Sequence, residues 1–477
     1  MRHYFTPDQV RDAERPLLEA LPPGVLMRRA AYGLATVVAR ELVGRTGGVV
    51  GRRVSILVGS GDNGGDGLWA GAMLRARGVA VSAVLLKPDR THPEGLAAFR
   101  RAGGKVVAAP DNPDLVIDAI VGISGTGPLR SDAAAIVAAL DAPIVSADIP
   151  SGVDPTTGSV DGPAVRAAVT VTFGARKPVH VLAVPYCGRV ELVEIGLSMP
   201  DPYIRAFEPA DVGALWPIPS AEDDKYSQGV VGIAAGSDRY PGAALLCTGA
   251  AVAATSGMVR YVGSAAAEVV SHYPEVIVSA DPASAGRVQA WVVGPGFDTG
   301  ERSREWLSDI LSSDLPVVVD ADALTVLASE PDLVRSRSAP TLLTPHAGEF
   351  ERLAGRVPGA DKVSAVRDLA SNWGVTVLLK GRATVVADPD GRVLVNDAGG
   401  SAASTAGSGD VLSGVLGALL ATGLEAAVAA ACGARAHSLA AAKAAHGSNG
   451  EFAAPISAGP LLSALPEAIR ILRSVAL

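Results

Sequence analysis

Two glycine-rich segments, one in each half of the chain, constrain the fold most. The first, Val58-Gly-Ser-Gly-Asp-Asn-Gly-Gly-Asp-Gly67, closes an apolar run; the second, Thr405-Ala-Gly-Ser-Gly-Asp-Val-Leu-Ser-Gly414, opens another. Glycine admits positive φ and close backbone approach. A helix N-terminus offers free N–H groups and partial positive charge to an anion. One such segment marks a nucleotide site. Two, in different surroundings, predict a fusion of two enzymes acting on related phosphorylated ligands.

At 477 residues the chain has room for two or three domains. Hydrophobic residues make up 48% and charged ones 19%, which supplies large cores and excludes disorder. Ala, Val and Gly dominate, the texture of α/β proteins with tightly packed helices. A net charge of −8 without a long basic run excludes nucleic acid as a partner. Cys187, Cys247 and Cys432 are far apart and form no metal or disulfide pattern. The opening MRHYFTPDQVRDAE is too polar for a secretory signal. The stretch from Val411 to Cys432 has the hydropathy of a membrane span, but Thr422-Gly423 and Glu425 divide it. Two buried helices are expected there, no membrane partner, and a cytoplasmic protein.

The first half alternates apolar runs with Ala-, Leu- and Arg-rich segments. Strands are expected at Val54–Ser60, Ala80–Leu86, Leu115–Gly122, Pro143–Pro150, Ala168–Gly174 and Arg189–Gly196. Continuous rather than alternating runs predict parallel strands covered on both faces, a doubly wound sheet. Helices are expected at Pro7–Ala20, Leu26–Gly44, Gly67–Arg77 and Ala133–Leu140. From Ser198 to Asp224, prolines and acids replace periodicity. Residues 1–205 therefore form one expected domain, 206–220 a linker and 221–477 a second domain. Its strands are Val230–Gly236, Ala290–Gly294, Pro316–Asp320, Thr341–Thr344 and Val375–Leu379, with a hairpin of Ala383–Asp388 and Arg392–Asn396. Its helices are Gly242–Ser256, Glu301–Ser312, Lys362–Trp373 and Asp410–Ala421.

In the second half, Gly407-Ser-Gly-Asp410 carries the chemistry. An Asp at the start of an anion-binding helix can accept a hydroxyl proton while the helix end stabilises a transferring phosphoryl group. Asp410 could equally cap its helix. Lys380-Gly-Arg-Ala-Thr384 follows a strand and could hold a nucleotide phosphate through Lys380, backbone amides and Thr384. His346, Gly294-Pro-Gly296 and Asp320-Ala-Asp322 all lie at strand ends, where open α/β sheets bind ligands. The two acids could hold magnesium, directly or through water; helix capping is the plainer role for Asp322.

These segments resemble the ribokinase-like superfamily, whose GxGD aspartate is the catalytic base. Lys225-Tyr-Ser-Gln-Gly, the run Ala235-Gly-Ser-Asp-Arg-Tyr-Pro-Gly-Ala-Ala244, VGPG at 293–296, LTPHAGEFERL and LLKGRATVV together resemble the ADP/ATP-dependent NAD(P)H-hydrate dehydratases, from about Lys225 onward. The resemblance implies that Ala243, Gly296, His346 and Asp410 lie against the hydrate. Lys380, Gly381, Arg382, Ala383, Thr384 and Gly409 would hold the nucleotide. The family's GGTGD run is Ala406-Gly-Ser-Gly-Asp410 here, with Ala removing some backbone freedom.

The first segment is no Walker loop and fails the strict dinucleotide fingerprint. Two further strand ends, Asp118-Ala-Ile-Val-Gly-Ile-Ser-Gly-Thr-Gly-Pro128 and Ser146-Ala-Asp-Ile-Pro-Ser-Gly-Val-Asp154, converge on it. Asn63, Asp118 and Ser151 supply oxygen ligands for a hard cation, and Asp148 is a candidate acid/base; three such strand ends in one sheet weigh against ordinary turn chemistry. The motifs resemble the NAD(P)H-hydrate epimerases over about residues 1–200, with Asp62 in place of the family's first Asn. That resemblance implies potassium on Asn63, Asp118 and Ser151. Substrate phosphates would lie on Asp62, Asn63, Gly64, Gly65 and Asp66 and on Gly122, Ile123, Ser124, Gly125, Thr126, Gly127 and Pro128, with Asp148 at the nicotinamide ring.

Both halves thus imply one metabolite. The expected architecture is a Rossmann-like doubly wound domain followed by a ribokinase-like α/β domain. The expected activities are epimerisation of R and S NADH or NADPH hydrate and dehydration of the S form with ADP, or ATP, plus magnesium. A homo-oligomer is expected. The alternative is a vitamin-precursor kinase fused to a nucleotide-binding module.

Overall fold

The computed structural model describes residues 1–255, 257–447 and 453–476. It divides into two compact units, His3–Ile204, and Arg205–Leu477 together with Met1–Arg2.

In the first unit seven parallel strands run in the order Lys105–Val106, Ala80–Leu85, Arg53–Val58, Leu115–Ala119, Ile144–Ala147, Val169–Phe173, Arg189–Val193. All six expected strands are present, each shorter at its C-terminal end. Leu115–Ala119 and Val169–Phe173 are buried at every position, which explains their unbroken apolar runs. The winding direction reverses between Arg53–Val58 and Leu115–Ala119, so the crevice beyond their carboxyl ends is the switch point of the sheet. Gly59–Asp66 and Ile120–Pro128 leave from there.

The glycine run is not a loop before a helix at Gly67, as expected. The helix spans Asp62–Ala76, and Gly61, with φ 91°, precedes it. The reason is packing. A Cβ on Gly64 would stand 2.5 Å from Gly59 O, and one on Gly67 2.5 Å from Ala119 Cβ. The helix start is pressed onto the strand ends, and side chains would hold it off.

The second unit is one mixed sheet. From Ile204–Ala206 it runs through Val393–Asp397, Ala383–Ala387, Thr376–Leu379, Thr341–Leu343, Val317–Val319, Ala290–Val293, Val230–Ala234 and Met258–Val262 to Ile277–Ser279. Ala383–Ala387 is antiparallel to both neighbours, which realises the expected hairpin. Met258–Val262 and Ile277–Ser279 had no sequence signal strong enough to be expected. The helix expected at Gly242–Ser256 spans Pro241–Ala254; Ser256 lies outside the described residues. The membrane-like stretch forms two buried helices, within Ser408–Ala421 and Ala426–His446. Among the described residues no helix is long and apolar enough to cross a membrane.

The expected linker is not one. Pro209–Leu215 is a helix closed by a capping box between Glu208 and Asp211. Val212 and Trp216 are buried in the second unit's core, and the Trp216 indole donates to Ala254 O at 3.0 Å. Sparse but well-placed apolar residues tie a Pro-rich, acidic segment down. The boundary lies at 204/205.

Candidate active sites

In the first unit Asp148 leaves the strand Ile144–Ala147 with φ 69°, a strained conformation for a non-glycine residue. Its amide donates to Val171 O at 2.7 Å. Its Oδ1 meets the Lys177 ammonium at 2.5 Å, and both side chains are buried. Asp66, the fifth residue of the glycine-rich helix Asp62–Ala76, is pushed well above the usual carboxylate range by burial, and further by the charges of Asp148 and Asp62. Glu14 is raised too, mainly by burial.

The expected residues divide between two cavities. Ser124, Gly125, Thr126, Gly127 and Pro128 line a cavity of about 330 Å³ with Gly59, Ser60, Lys87 and Arg130. Asp62 and Asp66 line another of about 390 Å³ with Glu14, Met27, His92 and Phe173. Asn63, Gly64, Gly65, Gly122, Ile123 and Asp148 line neither. Asn63 instead packs beside Gly122, where an added Cβ would lie 3.5 Å from Asn63 Oδ1.

Asp118 is fully buried. It accepts from Ile120 N (3.2 Å), Ser151 Oγ (2.7 Å), Ser146 Oγ (2.8 Å) and Ser151 N (2.9 Å). Burial raises its pKa and these bonds lower it; burial dominates.

In the second unit Asp410 lies in the first turn of Ser408–Ala421, and among the described residues no side chain caps that helix. Gly407, at φ 82°, is the N-cap residue, so Ala406 meets no left-handed requirement. Burial, then repulsion from Asp320, raises Asp410 to about 7 against the pull of Lys380. Lys380 Nζ binds Asp320 Oδ1 at 2.7 Å and stands 3.7 Å from Glu349 Oε2. Ser413 donates to Asp320 Oδ2 at 2.7 Å. Ala321, between the two acids, has φ 51°, a second strained position at a strand end.

His346, Lys380, Gly381, Arg382, Thr384 and Gly409 line one cavity of about 380 Å³, together with Leu412, Ala434, His437 and Ser438. Ala383 is not among the lining residues; it opens a strand. Thr384 Oγ1 donates to Gly381 O at 3.0 Å and closes the turn. His346 is the N-cap of Ala347–Ala354, its Nδ1 accepting from Gly348 N and Glu349 N. Ala243 and Gly296 lie against each other: a Cβ on Gly296 would be 2.6 Å from Ala243 Cβ. They sit where the winding reverses between Val230–Ala234 and Ala290–Val293.

Two family models match this chain. One, described as NAD(P)H-hydrate dehydratase, covers residues 231–455; the other, described as YjeF-related protein N-terminus, covers 23–179. A bifunctional NAD(P)H-hydrate repair enzyme of Mycobacterium tuberculosis is 63% identical over 435 residues, 90% of this chain and 92% of that protein. The chain belongs to the family of bifunctional NAD(P)H-hydrate repair enzymes. The crystal structure of an ADP/ATP-dependent NAD(P)H-hydrate dehydratase from Bacillus subtilis, co-crystallised with ATP and Mg2+, is similar at TM-score 0.50 and 26% identity. It is matched over 56% of this chain and 97% of its own. A ribokinase-like superfamily protein from Enterococcus faecalis shares the fold at TM-score 0.52 and 19% identity, over 58% of this chain and 98% of its own.

The family's metals meet different receptions here. Asn63, Asp118 and Ser151 offer one charge, an amide and a hydroxyl, and Asn63 Nδ2 is buried without a partner. Amide N and O are interchangeable by rotation, so Asn63 is free to turn an oxygen to a monovalent cation, whereas Asp118 and Ser151 are bonded to each other and to Ile120 N, Ser146 Oγ and Val121 N. Asp320 and Asp322 do not fit a direct magnesium pair. Asp320 already holds Lys380 and Ser413, and Asp322 Oδ2 accepts from Asp298 N at 3.0 Å rather than capping its helix. No group of three or more His, Cys, Asp or Glu among the described residues could hold a metal.

Sequence reasoning missed Lys177, Glu349, Ser413 and His437. Glu349 was detectable, three residues after His346 in capping-box spacing. His437 comes from a helix with no motif. Its Nε2 donates to Ser408 O at 2.9 Å, and burial lowers it to about 4, so it is neutral.

Proposed function

We propose that the first unit interconverts the R and S forms of NAD(P)H hydrate and that the second dehydrates the S form with ADP. In the first, the ring nitrogen expels hydroxide from C6 and water returns on the other face. Asp148 takes one proton from the entering water and gives it to the departing hydroxide. Asp66, whose surroundings favour the protonated form, can donate to the bound ligand. A potassium ion on Asn63, Asp118 and Ser151 would supply fixed positive charge opposite the substrate phosphates.

In the second unit the C6 hydroxyl lies between Ala243, Gly296 and His346, and the nucleotide occupies the cavity around Lys380–Thr384 and Gly409. Asp410 accepts the hydroxyl proton as phosphoryl leaves ADP, giving AMP. Phosphate then departs from C6, pushed by the ring nitrogen, and loss of the C5 proton restores the dihydropyridine. Magnesium would arrive with the nucleotide phosphates.

The observation that carries this reading is Asp410, poised at about 7 on an uncapped helix start beside Lys380 and Asp320. The test is absorbance recovery from mixed-epimer NADH hydrate with ADP, ATP or neither. Complete recovery with one nucleotide is expected. Recovery stopping at the S fraction removes the epimerase assignment, and a stable phosphorylated product would make the second unit a kinase. A cytoplasmic homo-oligomer completes the proposal, checked by sedimentation and cell fractionation.

A further inference from the structure

We infer that Lys177 is the positioning residue of the first unit's site, acting through Asp148; this rests on Asp148 being the group that moves the proton. Lys177 is 1% exposed, a buried ammonium in the first unit. Its ammonium has three hydrogens and three acceptors: Asp148 Oδ1 at 2.5 Å, Thr172 Oγ1 at 2.9 Å and Phe173 O at 3.1 Å.

The grip is closed on the backbone side by His180. Its Nδ1 accepts from Lys177 N at 3.0 Å and its Nε2 faces Asp148 O at 3.0 Å. A carbonyl can only accept, so the proton sits on Nε2. Burial, reinforced by Lys177, lowers His180 to about 3, which keeps that neutral tautomer. Asp148 and Lys177 are therefore joined twice, side chain to side chain and backbone to backbone through one imidazole.

This arrangement does two things to Asp148. It holds a non-glycine residue at φ 69°, which costs roughly 1–3 kcal/mol and needs surroundings that over-determine it. It also makes the two carboxylate oxygens unequal. Oδ1 takes Lys177 and lies 3.2 Å from the Thr172 hydroxyl, whereas Oδ2 makes no hydrogen bond among the described residues. One oxygen is anchored and the other is left to exchange a proton.

Stability does not account for the pair. Replacing a buried ion pair by apolar residues of similar volume is often neutral or stabilising. What the ammonium adds that a leucine would not is a fixed carboxylate orientation.

The test uses the full-length chain, whose second activity reports on folding. Conversion of R hydrate to S is followed by chromatography without nucleotide, and ADP-dependent dehydration of the S form is measured alongside. Lys177→Met is expected to lower epimerisation kcat about 100-fold, with KM changed by less than about threefold. Dehydration should be unchanged. Because Lys177 acts through Asp148, the pair Lys177→Met with Asp148→Asn should be no slower than Asp148→Asn alone. If Lys177→Met fails to fold, Thr172→Val, which removes one ligand of the ammonium, should lower kcat about tenfold with KM held. Epimerisation at the wild-type kcat in Lys177→Met, a loss confined to KM, or additive effects in the double variant would each overturn the role of Lys177. A wild-type chain that dehydrates but does not epimerise would instead remove the reading on which it rests.

Discussion

At the scale of single residues, titration behaviour follows from burial. Asp410 is a base only when ionised, and its carboxyl sits at about 7. The dehydration rate should therefore rise with pH through about 7 and then level. A flat profile from pH 6 to 8 would remove Asp410 as the base. Asp410→Asn should keep the fold and bind nucleotide while losing about 10²–10⁴ in rate; dehydration near the wild-type rate would exclude the assignment. His437 carries a stability consequence of definite sign. Its folded pKa, about 4, lies below the 6.5 of a free imidazole, so the unfolded chain binds a proton that the folded chain refuses. The stability it contributes is present above 6.5 and is lost as pH falls toward 4. At about 1.4 kcal/mol per pKa unit this reaches a few kcal/mol. Asp410 acts in the opposite direction, its raised pKa favouring the folded state on acidification. The measurement is thus comparative: from pH 7 to 5, urea midpoints should fall further for wild type than for His437→Gln. Equal slopes would count against a neutral buried imidazole.

At the scale of elements, glycine serves packing as much as anion binding. The helices Pro241–Ala254 and Ser408–Ala421 touch where a Cβ on Gly414 would stand 2.1 Å from Cys247 O and 2.9 Å from Ala250 Cβ. Backbone cannot yield as a flexible side chain can. Gly414→Ala should lower stability by about 1–3 kcal/mol or more, and should reduce dehydration because the same helix carries Asp410. Gly459→Ala, in a helix start with nothing within 4 Å of the added atom, should leave the thermal midpoint unchanged or slightly raised. Equal melting of the two variants would show that the helix contact is looser than drawn.

At the scale of the whole molecule, the boundary at 204/205 has consequences for dissection. A fragment of residues 205–477 keeps Val212 and Trp216 in the second core; one of residues 221–477 loses both. Exposing the pocket of a buried tryptophan costs about 3–5 kcal/mol. The shorter fragment should melt well below the longer one, with S-hydrate dehydration lost in proportion to unfolding. Identical melting would return 206–220 to the status of a linker.

The sequence alone determined the fold class, the six strands expected in the first unit and the hairpin. These depend on local pattern: apolar runs of strand length bounded by turn residues. It could not reveal Met258–Val262, interrupted by Arg260, or Ile277–Ser279, three residues long and largely exposed. It misread 206–220, because whether a lone Trp is buried depends on what packs over it. Only the tertiary structure could bring Lys177 onto Asp148 from 29 residues away, His437 onto Ser408 from another helix, and Lys380 and Ser413 onto one carboxylate. Such contacts carry no local period. They are set by where strands end and helices cross, and with them come the burial and neighbouring charge that give each acid its chemistry.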